Sequence, residues 1–125
     1  MTPDQRLSLF EREINIVMST PDGILIFSQK GESENFVQFN QRLDEPLYCE
    51  ATTRQWGGNL KPLEPKQRTR LSGLGYKLPK PKEKENARKH FEGSPRELAE
   101  QVEKIFRDVF ELPEDYDVMS SGVFQ

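Results

Sequence analysis

A single cysteine, Cys49, stands in the 125-residue chain, so no disulfide can form within it. That usage suits a reducing compartment, and the expectation is a cytoplasmic protein. Histidine is as scarce, with His90 alone. One Cys and one His cannot supply the four nitrogen or sulfur ligands of a structural zinc site. A nucleophilic site would need His90 as its base, and the pairing to weigh is Cys49 with His90. No apolar run approaches the roughly 18 residues that cross a bilayer. The opening Met-Thr-Pro-Asp has neither the basic nor the apolar region of a signal peptide. There is no Walker-type loop. Gly73-Leu-Gly75 begins like a dinucleotide fingerprint, but Leu78 stands where the third glycine belongs, and these glycines close a helix instead of opening one. Paired carboxylates for acid–base work are also missing. The expectation is a protein without catalytic residues, cofactor or metal.

What is present is polar but patterned. Hydrophobic residues make up 34% and charged residues 31%, yet eight Phe and repeated apolar spacings argue for a folded core. The length suits one domain, placed at residues 1–113, with an acidic and apolar tail at 114–125 that is either loose or docked. Net charge is −3, but it is unevenly spread. Residues 1–60 carry a balance of −4, residues 61–90 of +7, and residues 91–125 of −6. A basic middle between acidic ends either attracts a polyanion or neutralises its own molecule. Glu114, Asp115 and Asp117 lack the Gly turn and distant Glu of a calcium loop, so they read as a solvated tail.

Thr2-Pro3-Asp4-Gln5 is a capping box with proline at the first helical position. Leu7, Phe10, Ile14 and Val17 follow at helical spacing, up to turn chemistry at Thr20–Gly23. Three strands are expected next, at 23–28, 35–40 and 46–53, in an antiparallel meander with polar links at 29–34 and 41–45. Alternation puts Val37 and Phe39 on one face and Phe36 and Gln38 on the other. It likewise sets Leu47, Cys49 and Ala51 against Tyr48 and Glu50, which makes Cys49 an inward, small core residue. The run Ile24–Phe27 is apolar on both faces, which calls for cover on both sides of that strand.

Trp56 lies in the Gly-rich loop 54–62 and is either a cap on the core or an exposed anchor. A short helix over about 64–74 has Pro65 near its start and Gly75 as its left-handed stop, with Tyr76 folding back on Leu71. Two short strands are expected at Tyr76–Leu78 and Ala87–Phe91, around a Lys-Pro-rich turn at 79–86. Ser94-Pro95-Arg96-Glu97 is a second capping box. It opens a helix whose stripe is Leu98, Val102, Ile105 and Val109, widened by Ala99 and Phe106, ending near Phe110. The class is α+β: helix, three strands, short helix, two strands, helix, with the long helices on one face of the sheet.

Read in that order, the stretches Asn35-Phe-Val-Gln-Phe, Leu47-Tyr-Cys-Glu-Ala, Leu63-Glu-Pro-Lys-Gln-Arg-Thr-Arg-Leu-Ser-Gly-Leu-Gly-Tyr76 and Leu98 to Asp108-Val-Phe resemble the TY-Chap domain. That family groups bacterial proteins similar to type III secretion chaperones and to the YbjN proteins. The resemblance covers roughly residues 5–112. It implies an α-β-β-β-α-β-β-α domain, a polypeptide held on the surface, and a possible homodimer. It offers no catalytic residues. The short strands around the Lys-Pro segment depart from the pattern. The resulting expectation is a non-enzymatic protein- or peptide-binding domain using Val37, Phe39, Tyr48 and Trp56, on condition that the helices leave the Val37 and Phe39 face open. The alternatives are nucleic-acid binding through the basic segment 61–90 and, last, an enzyme using Cys49 or His90.

Overall fold

Helix α1 (Pro3–Met18) begins where the sequence marks it. Thr2 Oγ1 accepts from the Gln5 backbone N–H, and Gln5 Oε1 accepts from the Thr2 N–H. This computed structural model describes all residues from Met1 to Gln125. Strands β1 (Gly23–Gln29), β2 (Glu32–Gln41) and β3 (Leu47–Ala51) form the expected meander. Helix α2 (Pro65–Gly73) and strand β4 (Ala87–Phe91) follow. Helix α3 (Pro95–Lys104) runs on into a π-helical turn over Ile105–Val109. Strand β5 (Val118–Ser120) completes one antiparallel sheet in the order β4-β3-β2-β1-β5.

The fold is α+β, with an element order close to expectation and one displacement. Tyr76–Leu78 is not a strand: a lone bridge joins Lys77 to Arg88. Pro79 has no N–H to extend the ladder, and Tyr76 is drawn into the core at 3% exposure. The fifth strand comes instead from the tail. Val118–Ser120 pairs with β1, and Phe124 exchanges backbone hydrogen bonds with Ile24. Of the two fates open to the tail, docking is the one adopted.

Strand β2 also starts three residues earlier than its apolar pattern begins. Its pairing runs Ser28 to Phe36 and then Gln29 to Glu32, so Ser33, Glu34 and Asn35 bulge out of register. Asn35 faces inward in step with Val37 and Phe39, and there its Nδ2 donates to Gln29 Oε1 and its Oδ1 accepts from Arg54 Nε. Helix α2 ends as read: Gly75 has φ +92, a backbone shape that glycine adopts without steric cost.

Alternation sorts the sheet into two faces. Leu25, Phe27, Val37, Phe39, Leu47, Cys49, Ala51, Ala87 and Phe91 are buried under the helices. Phe10, Ile14 and Val17 of α1, Leu98 and Val102 of α3, and Ile105 and Phe106 of the π-helical turn meet them. Gln67 ties α2 to the end of α3: its Oε1 accepts from the Glu64 N–H and its Nε2 donates to the Val109 carbonyl.

Candidate functional site

All the helices stand on one side of the sheet, so the other side is left to solvent. Its side chains run in cross-strand rows fixed by register. Met119, Ser28 and Phe36 form one row. Ile26, Gln38, Glu50 and Arg88 form the next. Phe124, Ile24, Asn40, Tyr48 and His90 form the third. The β5-β1-β2 end is apolar. Ile24, Ile26 and Phe36 are half-buried there, while Met119 is 54% and Phe124 44% exposed. The cover expected over the outer side of β1 is therefore partial, and the tail supplies it.

The β3-β4 end is polar. Tyr48 donates from its hydroxyl to Glu50 Oε2, and Gln38 Nε2 donates to Glu50 Oε1. The Arg42 guanidinium lies 5.1 Å from the Tyr48 ring centre and the His90 ring 5.5 Å from it. Partial burial and the hydrogen bond to Glu50 push the Tyr48 hydroxyl above its ordinary pKa, so it stays a donor through neutral pH. On β4, Arg88 pairs outward with Lys77. Backbone groups of alternate residues point the same way, which leaves those of His90 on the open edge beyond that bridge.

Two of the four expected contact residues do not lie on this surface. Val37 and Phe39 are 0% and 1% exposed beneath the helices. The condition attached to them fails, because the helices cover the face they occupy, and both are core. Tyr48 is on the outer face, and Trp56 is 52% exposed in its loop, which leaves the exposed side chain, not the core cap, of its two readings. The apolar members Ile24, Ile26, Phe36, Met119 and Phe124 were missed as contact residues. The two-sided apolar run of β1 was the available signal for the first two. Nothing in the sequence brings Met119 or Phe124 beside them until β5 is known.

A Cys49–His90 pair is ruled out by the pleat. Cys49 pairs with Lys89 and faces the core, whereas His90 pairs with Tyr48 and faces solvent. Burial raises the Cys49 thiol to about 12, with Lys89 pulling weakly the other way. Such a thiol is almost wholly protonated at neutral pH and inert. Labelling by a thiol reagent at pH 7 is expected to proceed at the rate of unfolding, at least a hundredfold below that of a denatured control; fast labelling of the folded chain contradicts this placement. The same burial sets a pH dependence. The unfolded thiol titrates near 9.0 and the folded one near 12. A raised folded pKa contributes stability that is complete below pH 9 and is lost as pH rises towards 12. Urea unfolding across that window is expected to show a smaller loss for Cys49→Ala than for the parent.

The basic segment does not form one surface. Lys66 and Arg70 approach Glu111 at 3.6 and 3.7 Å. Arg68 donates to the Pro79 carbonyl. Lys89 turns under α2, where its Nζ donates to the Leu74 carbonyl at 2.7 Å and lies 4.9 Å from the Tyr76 ring centre. Those residues are drawn into ion pairs or inward contacts, and Lys61, Lys82 and Lys84 are the part of the segment that shares one surface. No group of three or more His, Cys, Asp or Glu is placed to hold a metal ion. No helix is long and apolar enough to cross a membrane.

Comparison with known proteins gives one finding. The family model TY-Chap3, described as T3SS (YopN, CesT) and YbjN peptide-binding chaperone 3, matches residues 6–122. No curated protein and no solved structure matches the chain.

Proposed function

The chain belongs to this TY-Chap3 family of peptide-binding chaperones, and from that premise we propose that it holds an extended segment of a partner protein across the outer face of its sheet. The observation that supports the reading is the helix-free face with its apolar end. Ile24, Ile26 and Phe36 form a shallow floor, and Met119 and Phe124 project from it. Exposed apolar area of this kind is a common mark of a protein-binding surface. The polar end adds direction. Tyr48, Glu50 and His90 present donors and acceptors within reach of a peptide backbone lying across the strands. The proposed work is binding without chemistry, carried out as a soluble domain.

Screening the purified chain against an array of random dodecapeptides tests this. Peptides with alternating apolar residues are expected to bind. Met119→Glu combined with Phe124→Glu is expected to weaken them at least tenfold. Both side chains are about half exposed, so the thermal midpoint is expected to move by only a few degrees. Undiminished binding by that double variant sinks the placement. Sedimentation of the free chain separates a second outcome, in which the face is occupied by another copy and the protein is a homodimer.

A further inference from the structure

A separate concavity lies where β3 leaves the sheet and β4 enters it, between the loop Arg54–Pro62 and the turn Pro81–Lys84. It is an open depression of about 540 Å³. Four of its lining residues are cations, Arg54, Lys61, Lys82 and Lys84, and none of its lining residues is acidic. None of the four forms an ion pair, in contrast to Lys66 and Arg70 nearby. Glu34 lies against the rim at Gly58, and Glu111, Glu32 and Glu34 act on the charge of Arg54, which leaves the three lysines as the free cations of the concavity. Glu34 Oε2 accepts from the Leu60 N–H beneath the loop, and Glu83 Oε2 accepts from the Lys80 N–H.

The concavity is built, not a chance gathering of lysines. Thr53 Oγ1 donates to the Glu85 carbonyl at 2.6 Å and pins one segment to the other. Arg54 holds a left-handed backbone at φ +59, a strained conformation for a non-glycine residue and one that concentrates at functional sites. Its guanidinium is fixed by the Nε bond to Asn35 Oδ1 and by the Phe110 ring, 5.4 Å away. Gln55, 8% exposed, also lines the concavity, and its Oε1 is buried without a hydrogen-bond partner. A buried acceptor left unpaired is a standing cost, and a rotation of the Gln55 amide towards the concavity would let a ligand's N–H relieve it.

Three free lysines ask for an anion, and one orphaned acceptor asks for a donor. A carboxylate-bearing peptide meets both demands, with its acidic side chains on the lysines and a backbone N–H on Gln55. A phosphodiester backbone carries the charge but no N–H. We infer that this concavity receives an acidic segment of the bound polypeptide, so that the chain selects clients bearing Asp or Glu beside their apolar stretch. The inference rests on the peptide-binding reading but assigns it a second, electrostatic contact, beside the Phe36 end of the apolar floor, where the Thr52 N–H bonds to the Phe36 carbonyl. Trp56 stands between two lining residues, Gln55 and Gly57, and is the chain's sole tryptophan, so its fluorescence reports on the concavity.

The test is a fluorescence titration of the full chain with a blocked tetraglutamate peptide, beside tetraglutamine and a short oligothymidylate. Tetraglutamate is expected to saturate the Trp56 signal, with affinity falling as salt is added. Lys82→Glu with Lys84→Glu, both on an exposed turn, is expected to weaken it at least tenfold. Gln55→Met, which keeps the volume but removes the acceptor, is expected to weaken it about threefold to tenfold, the span of one hydrogen bond, with the salt dependence unchanged. No response to tetraglutamate overturns the inference, as does indifference to the charge reversal or tighter binding of oligothymidylate. If the peptide array still succeeds in any of those cases, peptide binding on the outer face stands without this site. If the array is silent as well, the binding reading itself has failed.

Discussion

Replacing Arg6 by methionine is expected to lower the unfolding free energy by about 3–5 kcal/mol, the range for breaking a buried ion pair from one side. Arg6 is completely buried, yet every edge of its guanidinium is used. Its Nε and Nη2 grip the Glu103 carboxylate at 3.0 and 2.8 Å. Its Nη1 donates to the Met1 and Tyr116 carbonyls, and Nη2 also donates to that of Glu114. The guanidinium lies 3.9 Å from the Tyr116 ring centre, and the Tyr116 hydroxyl donates to Glu103 at 2.6 Å. Burial alone would lower the Arg6 pKa, but the hydrogen bonds it donates to Glu103 and the surrounding charges outweigh it and raise it. Methionine fills the volume but strands a carboxylate and three carbonyls. A double variant, Arg6→Met with Glu103→Met, removes both charges and is expected to recover part of the loss. Urea unfolding of the two variants measures the difference. A loss below 1 kcal/mol for the single variant would mean that the cluster is far wetter than its burial indicates. Because Arg6 holds the chain that leads into β5, hydrogen exchange at Val118–Ser120 is expected to accelerate first.

Phe106→Ala is expected to cost a similar amount, about 3–5 kcal/mol, by opening a cavity in the core. Phe106 is the centre of the aromatic cluster. Its ring centre lies 6.1 Å from that of Phe10, 5.4 Å from Phe110 and 5.3 Å from Tyr116. Those neighbours belong to α1, the end of the π-helical turn and the tail, so no single segment can close the gap. A domain of this kind has roughly 5–15 kcal/mol in total, so the variant is expected to approach unfolding near body temperature. A Phe106→Leu variant, which leaves a smaller void, is expected to lose less than half as much. Calorimetry of both variants tests this, and equal losses would point to lost ring geometry instead of volume.

These two residues show what was legible in the sequence. Phe106 was, because it falls on the helical stripe of Leu98, Val102 and Ile105. Arg6 was not. The buried stripe of α1 runs Arg6, Phe10, Ile14 and Val17, and a hydrophobic pattern names Leu7 at its first turn. An arginine in that place makes sense once Glu103 and three carbonyls from distant segments surround it. The meander and both capping boxes rest on contacts three or four residues apart, or on short turns, and so could be read directly. The tail strand could not. Three residues carry too little alternation, and their pairing with β1 spans most of the chain. The π-helical turn was equally hidden. It is seen in Phe110 N–H bonding to the Ile105 carbonyl at 2.9 Å, and it lets Val109 and Phe110 both face inward.

The candidate surface was half legible for the same reason. Alternation correctly separated Val37 and Phe39 from Phe36 and Gln38, but a period of two does not say which side the helices take. The apolar content of the remaining stripes decides it. Val37, Phe39, Leu47, Cys49 and Ala51 make a continuous apolar face across two strands, whereas Gln38, Asn40 and Glu50 interrupt the other. The helices cover the first, and the second is left with an apolar patch at one end.

The outer face is the centre of the functional account, and amide NMR of the chain titrated with an array-selected peptide tests it most directly. The account predicts that the largest shifts fall on Ile24, Ile26, Phe36, Met119 and Phe124, with little change along α1 and α3. Shifts concentrated on the helices, with the outer face of the sheet unmoved, would contradict it.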